Sequence, residues 1–581
     1  MKRRLALVVA FLALAPRGQA AGDGKDRSPS SLALSADGRW AVTANTTADT
    51  VSLVDLEQGA VTAEVSVGRR PLAVAWSGKR AVVSNSLSES VTVLEVAPPD
   101  LHVIGTVAVG YQPRGVAVAG DRAYVALSGD DAVSVVDLGA LALVGRAAVG
   151  EEPWHLALTP DGKRLAVGDA RSMDVRVVDT ESLRTLHTVR LKGHNVRQLA
   201  VSPDGSWAYV ANIAERGGRT NREDIDKGWV LGSRLSRVPL REEGPREAIA
   251  LDPRGEAVAD VDGVAVSPDG QVIALCAGGT HELLLLRQPL PFVAFGGPGD
   301  HIEPELLGDK EKFRRVPLGG RPVSVAFAPD GKSVVVANYL LNALQVVSVE
   351  GRLARTIDLG GTAAPSLARR GEAIFLDGKR SFHQWYSCQT CHPDGHTNGA
   401  SYDTLNDGRY GNAKKTLSLR GVSKTAPYTW HGWQKELGPA IEHSLTKTLQ
   451  GPKPSAEDLD ALSAYLETID WVPPRAPRSP EAVARGEGVF KARTCDRCHA
   501  PPTYTTPSVY VVGLESKDDV YEGFNPPSLR GVRHRGPYLH DGRARSLDEL
   551  FSKKFHPPLA EDEKELTPEE IADLVAFLES L

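Results

Sequence analysis

The chain has 581 residues, with 67 Lys+Arg against 73 Asp+Glu and a formal net charge of −6. That length calls for several domains, and a mildly acidic balance offers no basic field for nucleic acid. Apolar content of 41% and charged content of 24% are those of an ordinary soluble globular protein.

Residues 1–20 read as an export signal. Lys2, Arg3 and Arg4 form a basic n-region, Leu5–Ala15 a short apolar run, and Gly18-Gln19-Ala20 a small-residue cleavage point. A run of about 11 apolar residues is too short to span roughly 30 Å of hydrocarbon, and no later segment is long and apolar enough. The mature chain is therefore expected to lie in the periplasm with no membrane span.

A short motif then recurs: an apolar strand-like run closed by a turn ending in Gly. It appears as LALSADG, LAVAWSG, VAVAG, LALTPDG, LAVSPDG, VAVSPDG and VAFAPDG, closing at Gly38, Gly78, Gly120, Gly162, Gly205, Gly270 and Gly331. Successive glycines lie 40, 42, 42, 43, 65 and 61 residues apart. Each copy is followed by two more alternating runs. Four short strands per roughly 40 residues make one propeller blade, so residues 28–361 are expected to form a seven-bladed β-propeller. This region resembles the YVTN-type propellers of exported bacterial proteins. The two long intervals predict insertions near 214–257 and 290–316, which on a regular scaffold carry contacts or function.

After residue 361 the period changes. Arg370-Gly371-Glu372 recurs as Arg485-Gly486-Glu487, and Cys388-x-x-Cys391-His392 as Cys495-x-x-Cys498-His499. Ser418-Leu-Arg-Gly-Val422 followed by Pro427-Tyr428 recurs as Ser528-Leu-Arg-Gly-Val532 followed by Pro537-Tyr538. Each copy ends in a capped amphipathic helix, opened by Ser455 or Thr567 with an acid three residues on. The ordered offsets of 107 to 115 residues mark a duplicated all-α unit at 367–471 and 481–581. The Pro-rich stretch Trp471–Glu481 links the copies.

The chain has five cysteines. Cys276 stands in an apolar run and reads as a small buried hydrophobe; the other four form the two pairs. A structural zinc site needs four converging ligands, whereas these pairs lie 107 residues apart in sequence, each in its own copy. A redox dithiol would want a βαβ setting, which is absent. Covalent haem needs two cysteines for its vinyl groups and a histidine from the same turn for the iron. The reading is two haem c groups, attached at Cys388/Cys391 and Cys495/Cys498, with His392 and His499 as proximal ligands.

Neither haem unit contains a methionine, since the chain has only Met1 and Met173. The distal choices are a second histidine, a tyrosine or an open position. His556 is expected at the second haem, with His540 as its rival, and His443 at the first.

At Gly536–Leu550, GPYLHDGRARSLDEL, the sequence resembles the bacterial di-haem cytochrome c peroxidase and MauG-like family, over the whole C-terminal part. The resemblance implies that one haem meets a small oxidant such as hydrogen peroxide while the other relays electrons. It matches Trp430 to the family tryptophan between the haems, and makes Glu442 the nearest candidate for the acid beside the peroxide-binding haem. It also raises a calcium ion between the haem domains, for which no carboxylate-rich loop is present, so calcium stays open. The expected fold is multidomain: an all-β seven-bladed propeller plus two all-α cytochrome c domains. The expected function is a peroxidase-like oxidoreductase, with a propeller that docks a partner or presents substrate. The alternative is a non-catalytic electron-transfer cytochrome with bis-His haems. In either case an electron-donor or acceptor protein is the partner. A third reading puts an active site in the propeller channel, near His155, His194 and His281.

Overall fold

The structure, a computed structural model, describes residues 24–295, 297–362, 364–477, 479–553, 555–556 and 565–581. The expected export signal lies outside the described residues.

Seven four-stranded antiparallel meanders run from Pro29 to Asp358. The repeated turn has a clear local cause. Ser35, Thr159, Ser202 and Ser267 each donate a hydroxyl to the Asp two residues on, at 2.5–2.6 Å. The glycine that closes each turn takes φ of +68 to +73° at Gly38, Gly162, Gly205 and Gly270, the left-handed region that suits a residue without Cβ. Alternating Val, Leu and Ala side chains then fill the space between neighbouring sheets. The first and last blades meet across strands Pro29–Leu34 and Pro322–Phe327. Asn342 closes the ring, accepting from Ser28 N and donating to Asp26 at 2.9 Å. Cys276 is fully buried in strand Val272–Ala277.

The two long intervals contain regular structure as well as loop. The first holds strands Leu231–Pro239 and Glu247–Ala250, the last two of blade five, and a short helix at Arg222–Asp226. The second holds the short helix Pro304–Gly308 and strand Phe313–Pro317, the last of blade six. Their added length reaches the C-terminal part: Tyr410 and Gln450 donate to the Thr220 carbonyl, and His301 packs edge-on to Trp385 at 6.1 Å.

Among the described residues the C-terminal part has six longer helices: α1 (Leu367–Phe375), α2 (Leu437–His443), α3 (Ala456–Thr468), α4 (Pro480–Ala492), α5 (Leu547–Ser552) and α6 (Pro568–Glu579). In each repeat the first and last helices cross, α1 on α3 and α4 on α6. The crossing explains the glycine of the Arg-Gly-Glu motif. A Cβ on Gly371 would lie 1.9 Å from the Ala461 carbonyl oxygen, and one on Gly486 1.9 Å from that of Asp573. Aromatic pairs Phe375–Tyr465 and Phe490–Phe577, both at 5.2 Å, flank the two crossings. Both terminal helices carry the expected capping boxes, Ser455 with Asp458 and Thr567 with Glu570.

The first unit lies across the propeller mouth. Asp260 accepts from the Ser387 and Thr390 hydroxyls, Asn195 donates to the Thr390 carbonyl, and Arg114 binds Asp394 at 2.7 Å. Arg321 donates to the Leu376 carbonyl, and His281 meets Asp377 at 3.1 Å.

Gly486→Ala is expected to lower the stability of the second unit by about 1–3 kcal/mol through overpacking, read by urea unfolding. Gly488→Ala, where a Cβ meets nothing within 4 Å, is expected to be neutral or stabilising by about 0.5–1 kcal/mol through helix propensity.

Candidate haem sites

Each Cys-x-x-Cys-His run is a tight turn that sets three ligands on one side. In the first, Cys388–Cys391 is a single helical turn opened by the Ser387–Thr390 capping box, and His392 N–H closes onto the Cys388 carbonyl at 2.9 Å. In the second, His499 N–H closes onto the Cys495 carbonyl, also at 2.9 Å. The two histidines are set alike. His392 Nδ1 lies 3.3 Å from the His396 carbonyl oxygen, and His499 Nδ1 lies 3.2 Å from that of Tyr504. Donation from Nδ1–H to a carbonyl holds the tautomer whose Nε2 lone pair is free for a metal. Burial pushes both imidazoles down to about 4, so they are neutral at physiological pH.

Burial also pushes the Cys388 and Cys391 thiols up to about 12, the opposite of what a reactive dithiol needs. Among the described residues no group of three or more His, Cys, Asp or Glu side chains forms a metal cage. A cavity of about 370 Å³ opens beside Cys388, Cys391 and His392, walled largely by apolar side chains such as Leu419, Ile441 and Leu466. This donor set and its apolar cleft fit a covalent haem. The cavity continues to Ser528, Leu529 and Tyr538 of the second unit.

At the second unit, His499 and His556 face one another with ring centres 6.4 Å apart and planes at 86°. A metal–nitrogen bond is about 2.0 Å, and a ring centre lies roughly 1.1 Å beyond its nitrogen, so two imidazoles across one metal stand about 6.2 Å apart. Burial lowers the His556 pKa, which keeps that ring neutral and able to ligate.

The other distal candidates lie elsewhere. His443 Nε2 sits 3.1 Å from the Leu405 carbonyl oxygen and the ring packs edge-on to Trp433 at 5.1 Å, away from the cavity. Glu442 pairs with Lys453 at 3.1 Å. The reason is helical phase. Leu437, Ala440, Ile441 and Ser444 line the cavity, an i, i+3, i+4, i+7 stripe that leaves Glu442 and His443 on another face. His540 is buried in the seam between the units, stacked on Phe524 at 4.6 Å and edge-on to Trp430 at 6.3 Å.

Trp430 lines the cavity and donates its indole N–H to the Lys415 carbonyl at 2.7 Å. With His540 beside it, Trp430 stands where the two units meet. Sequence reasoning missed the rest of this seam. His431 is 3% exposed and donates to the Gly523 carbonyl. Lys414 and Asn412 of the first unit bind Asp519 of the second. No spacing rule links residues more than 100 positions apart, so only the unmatched buried polar types hinted at them. The histidines of the channel reading do not gather: His194 pairs with Glu215 and His281 with Asp377.

Among the described residues no helix is long and apolar enough to cross a membrane. Residues 117–231 match a YNCE-like β-propeller family model, and residues 483–581 match a cytochrome c family model. The chain is 26% identical to methylamine utilization protein MauG of Methylorubrum extorquens over 37% of this chain and 78% of the relative. It is 24% identical to MauG of Methylophilus methylotrophus over 37% of this chain and 82% of the relative. A hydrazine synthase structure from Kuenenia stuttgartiensis superposes with a TM-score of 0.50 at 25% identity, covering 58% of this chain and 99% of that one.

Burial raises the Asp519 carboxyl, but Lys414, Asn412 and the Ser516 N–H lower it further, to about 2. A depressed carboxylate stabilises above its unfolded value of about 3.9 and loses that contribution as pH falls toward 2. Acid titration of the folded protein is expected to weaken the seam across that window. Asp519→Asn is expected to remove this pH-dependent part, as followed by near-UV circular dichroism.

Taken together, propeller, attachment turns and relatives describe a MauG-like haem protein in which a YNCE-like seven-bladed β-propeller precedes a C-terminal cytochrome c part.

Proposed function

We propose that the chain is an exported, periplasmic oxidoreductase holding two haem c groups with unequal axial positions. The first is carried by Cys388, Cys391 and His392, the second by Cys495, Cys498, His499 and His556. The observation that carries this reading is the contrast between the two units. His499 and His556 stand at the separation of two ligands on one metal, while helix α2 turns His443 and Glu442 away from the first cavity and presents Leu437, Ala440 and Ile441 instead. Haem c supplies one-electron redox chemistry and, where one face is open, a position for a small oxidant.

The chain's residues divide that work. His499 and His556 would hold the second group, which suits relay. The apolar stripe of α2 excludes bulk water from the first cavity while leaving room for a small molecule such as hydrogen peroxide. Trp430, fixed by Lys415 and touching His540, bridges the two sites. The electron-donor or acceptor protein would approach the C-terminal units, because the propeller mouth is covered by the first of them. A purely electron-transferring cytochrome with both haems bis-His would need a second histidine at the first cavity; His443 is turned to the Leu405 carbonyl, and His431, at the cavity wall, has Nδ1 on the Gly523 carbonyl and Nε2 3.4 Å from Asp519.

Optical and EPR spectra of the oxidised protein test the assignment. One high-spin and one low-spin ferric signal, with a response to hydrogen peroxide, are expected. His556→Ala is expected to convert the low-spin signal to high-spin, and His443→Ala to change neither. Two inert low-spin haems would sink the reading.

A further inference from the structure

Between the propeller mouth and the first haem unit lies a second chamber of about 600 Å³ with strongly charged walls. Five arginines line it: Arg69, Arg70, Arg197, Arg321 and Arg420. Four acids face them, and three are held by partners. Glu372 pairs with Arg369, Asp470 with Lys424, and Asp394 with Arg114. The fourth is Asp262, which has no ion pair within 4 Å among the described residues; burial pushes its carboxyl up, while Arg197 and Arg321 pull it down. Among the arginines, Arg321 is matched by Asp260 at 3.3 Å, and Arg70 reaches Asp394 only at 4.0 Å.

Arg197 and Arg420 have no carboxylate within ion-pair distance among the described residues. Arg197 is held in place by Trp154, its guanidinium 4.3 Å from the ring centre, where Arg114 lies at the same distance. Arg420 is only 8% exposed and borders both this chamber and the haem cavity. A guanidinium without a carboxylate partner is costly away from water, and buried Arg420 with half-buried Arg197, beside the single carboxyl of Asp262, leave a surplus of positive charge around open space. Arg69, exposed at the rim, marks the side on which the chamber meets solvent.

We propose that this chamber is an anion site, in which Arg197, Arg420 and Arg70 take a carboxylate or small oxyanion. The planar forked donors of arginine suit both. The anion has two possible sources: a free small anion entering past Arg69, or a propionate of the haem carried by Cys388 and Cys391, reached through Arg420. Only the second source rests on the haem reading above.

The test uses the full chain with its haem content checked by mass, so that missing haem counts against the function reading alone. Inorganic phosphate and acetate are titrated calorimetrically into the protein and into Arg197→Gln, Arg197→Lys, Arg420→Gln and the rim control Arg69→Gln. A free anion gives saturable binding that weakens at least tenfold in the Arg197 and Arg420 variants and changes little in Arg69→Gln. A propionate gives no such binding. Instead Arg420→Gln and Arg197→Gln lower the reduction potential of the first haem alone, by about a tenfold change in its oxidised-to-reduced ratio, or 59 mV for one electron. Arg197→Lys keeps the charge and guards against a variant that fails to fold. Absence of both effects in folded variants overturns the proposal.

Discussion

Asp260 ties the protein together. It sits at the propeller mouth and accepts both hydroxyls of the turn that presents Cys388, Cys391 and His392, at 2.6 Å from Ser387 and 2.5 Å from Thr390. The turn is capped from within by Ser387 and Thr390, and that cap is in turn held by a carboxylate from another domain. Arg321 holds Asp260 from behind and donates to Leu376 at the end of α1. The propeller thus acts as a seat for the first Cys-x-x-Cys-His turn, and its mouth is occupied from within the chain.

The two C-terminal units share their frame and differ in their chemistry. Both crossings bring a glycine against a carbonyl at the same 1.9 Å virtual contact, with an aromatic pair beside it. Both proximal histidines donate Nδ1–H to a carbonyl four or five residues on. Beyond the Pro-Tyr motif the two units diverge. The first unit sends an apolar helix face to its cavity; the second sends His556 to its histidine. One frame therefore carries two different surroundings: an apolar helix face in the first unit and a second histidine beside His499 in the second.

Between them lies a seam of buried polar and aromatic groups. Trp430, His540, Phe524 and His431 follow one another ring to ring at 6.3, 4.6 and 4.7 Å, and Lys414 with Asp519 closes its edge. Lys415 threads through it, its ammonium on the Arg535 carbonyl and its main-chain N–H on that of His540. Groups this buried hold one arrangement, because each unsatisfied alternative costs more than in water.

The sequence by itself determined the local and periodic features: seven meanders from the turn glycines, a duplicated unit from ordered offsets, capped helices, and two attachment turns. These depend on neighbours within a few residues, so their cause is printed in the order of side chains. Position in the repeat also raised His556, whose ring lies 6.4 Å from that of His499. The contacts of His443 and His540 follow from helical phase and from packing across the seam, which a count from a glycine does not carry. Only the tertiary structure decided that Asp260 caps a turn 127 residues away, that the propeller mouth is closed, and that Arg197 and Arg420 share a chamber. Those pairings are set by how domains pack, and burial, rather than residue type, gives each charge its consequence.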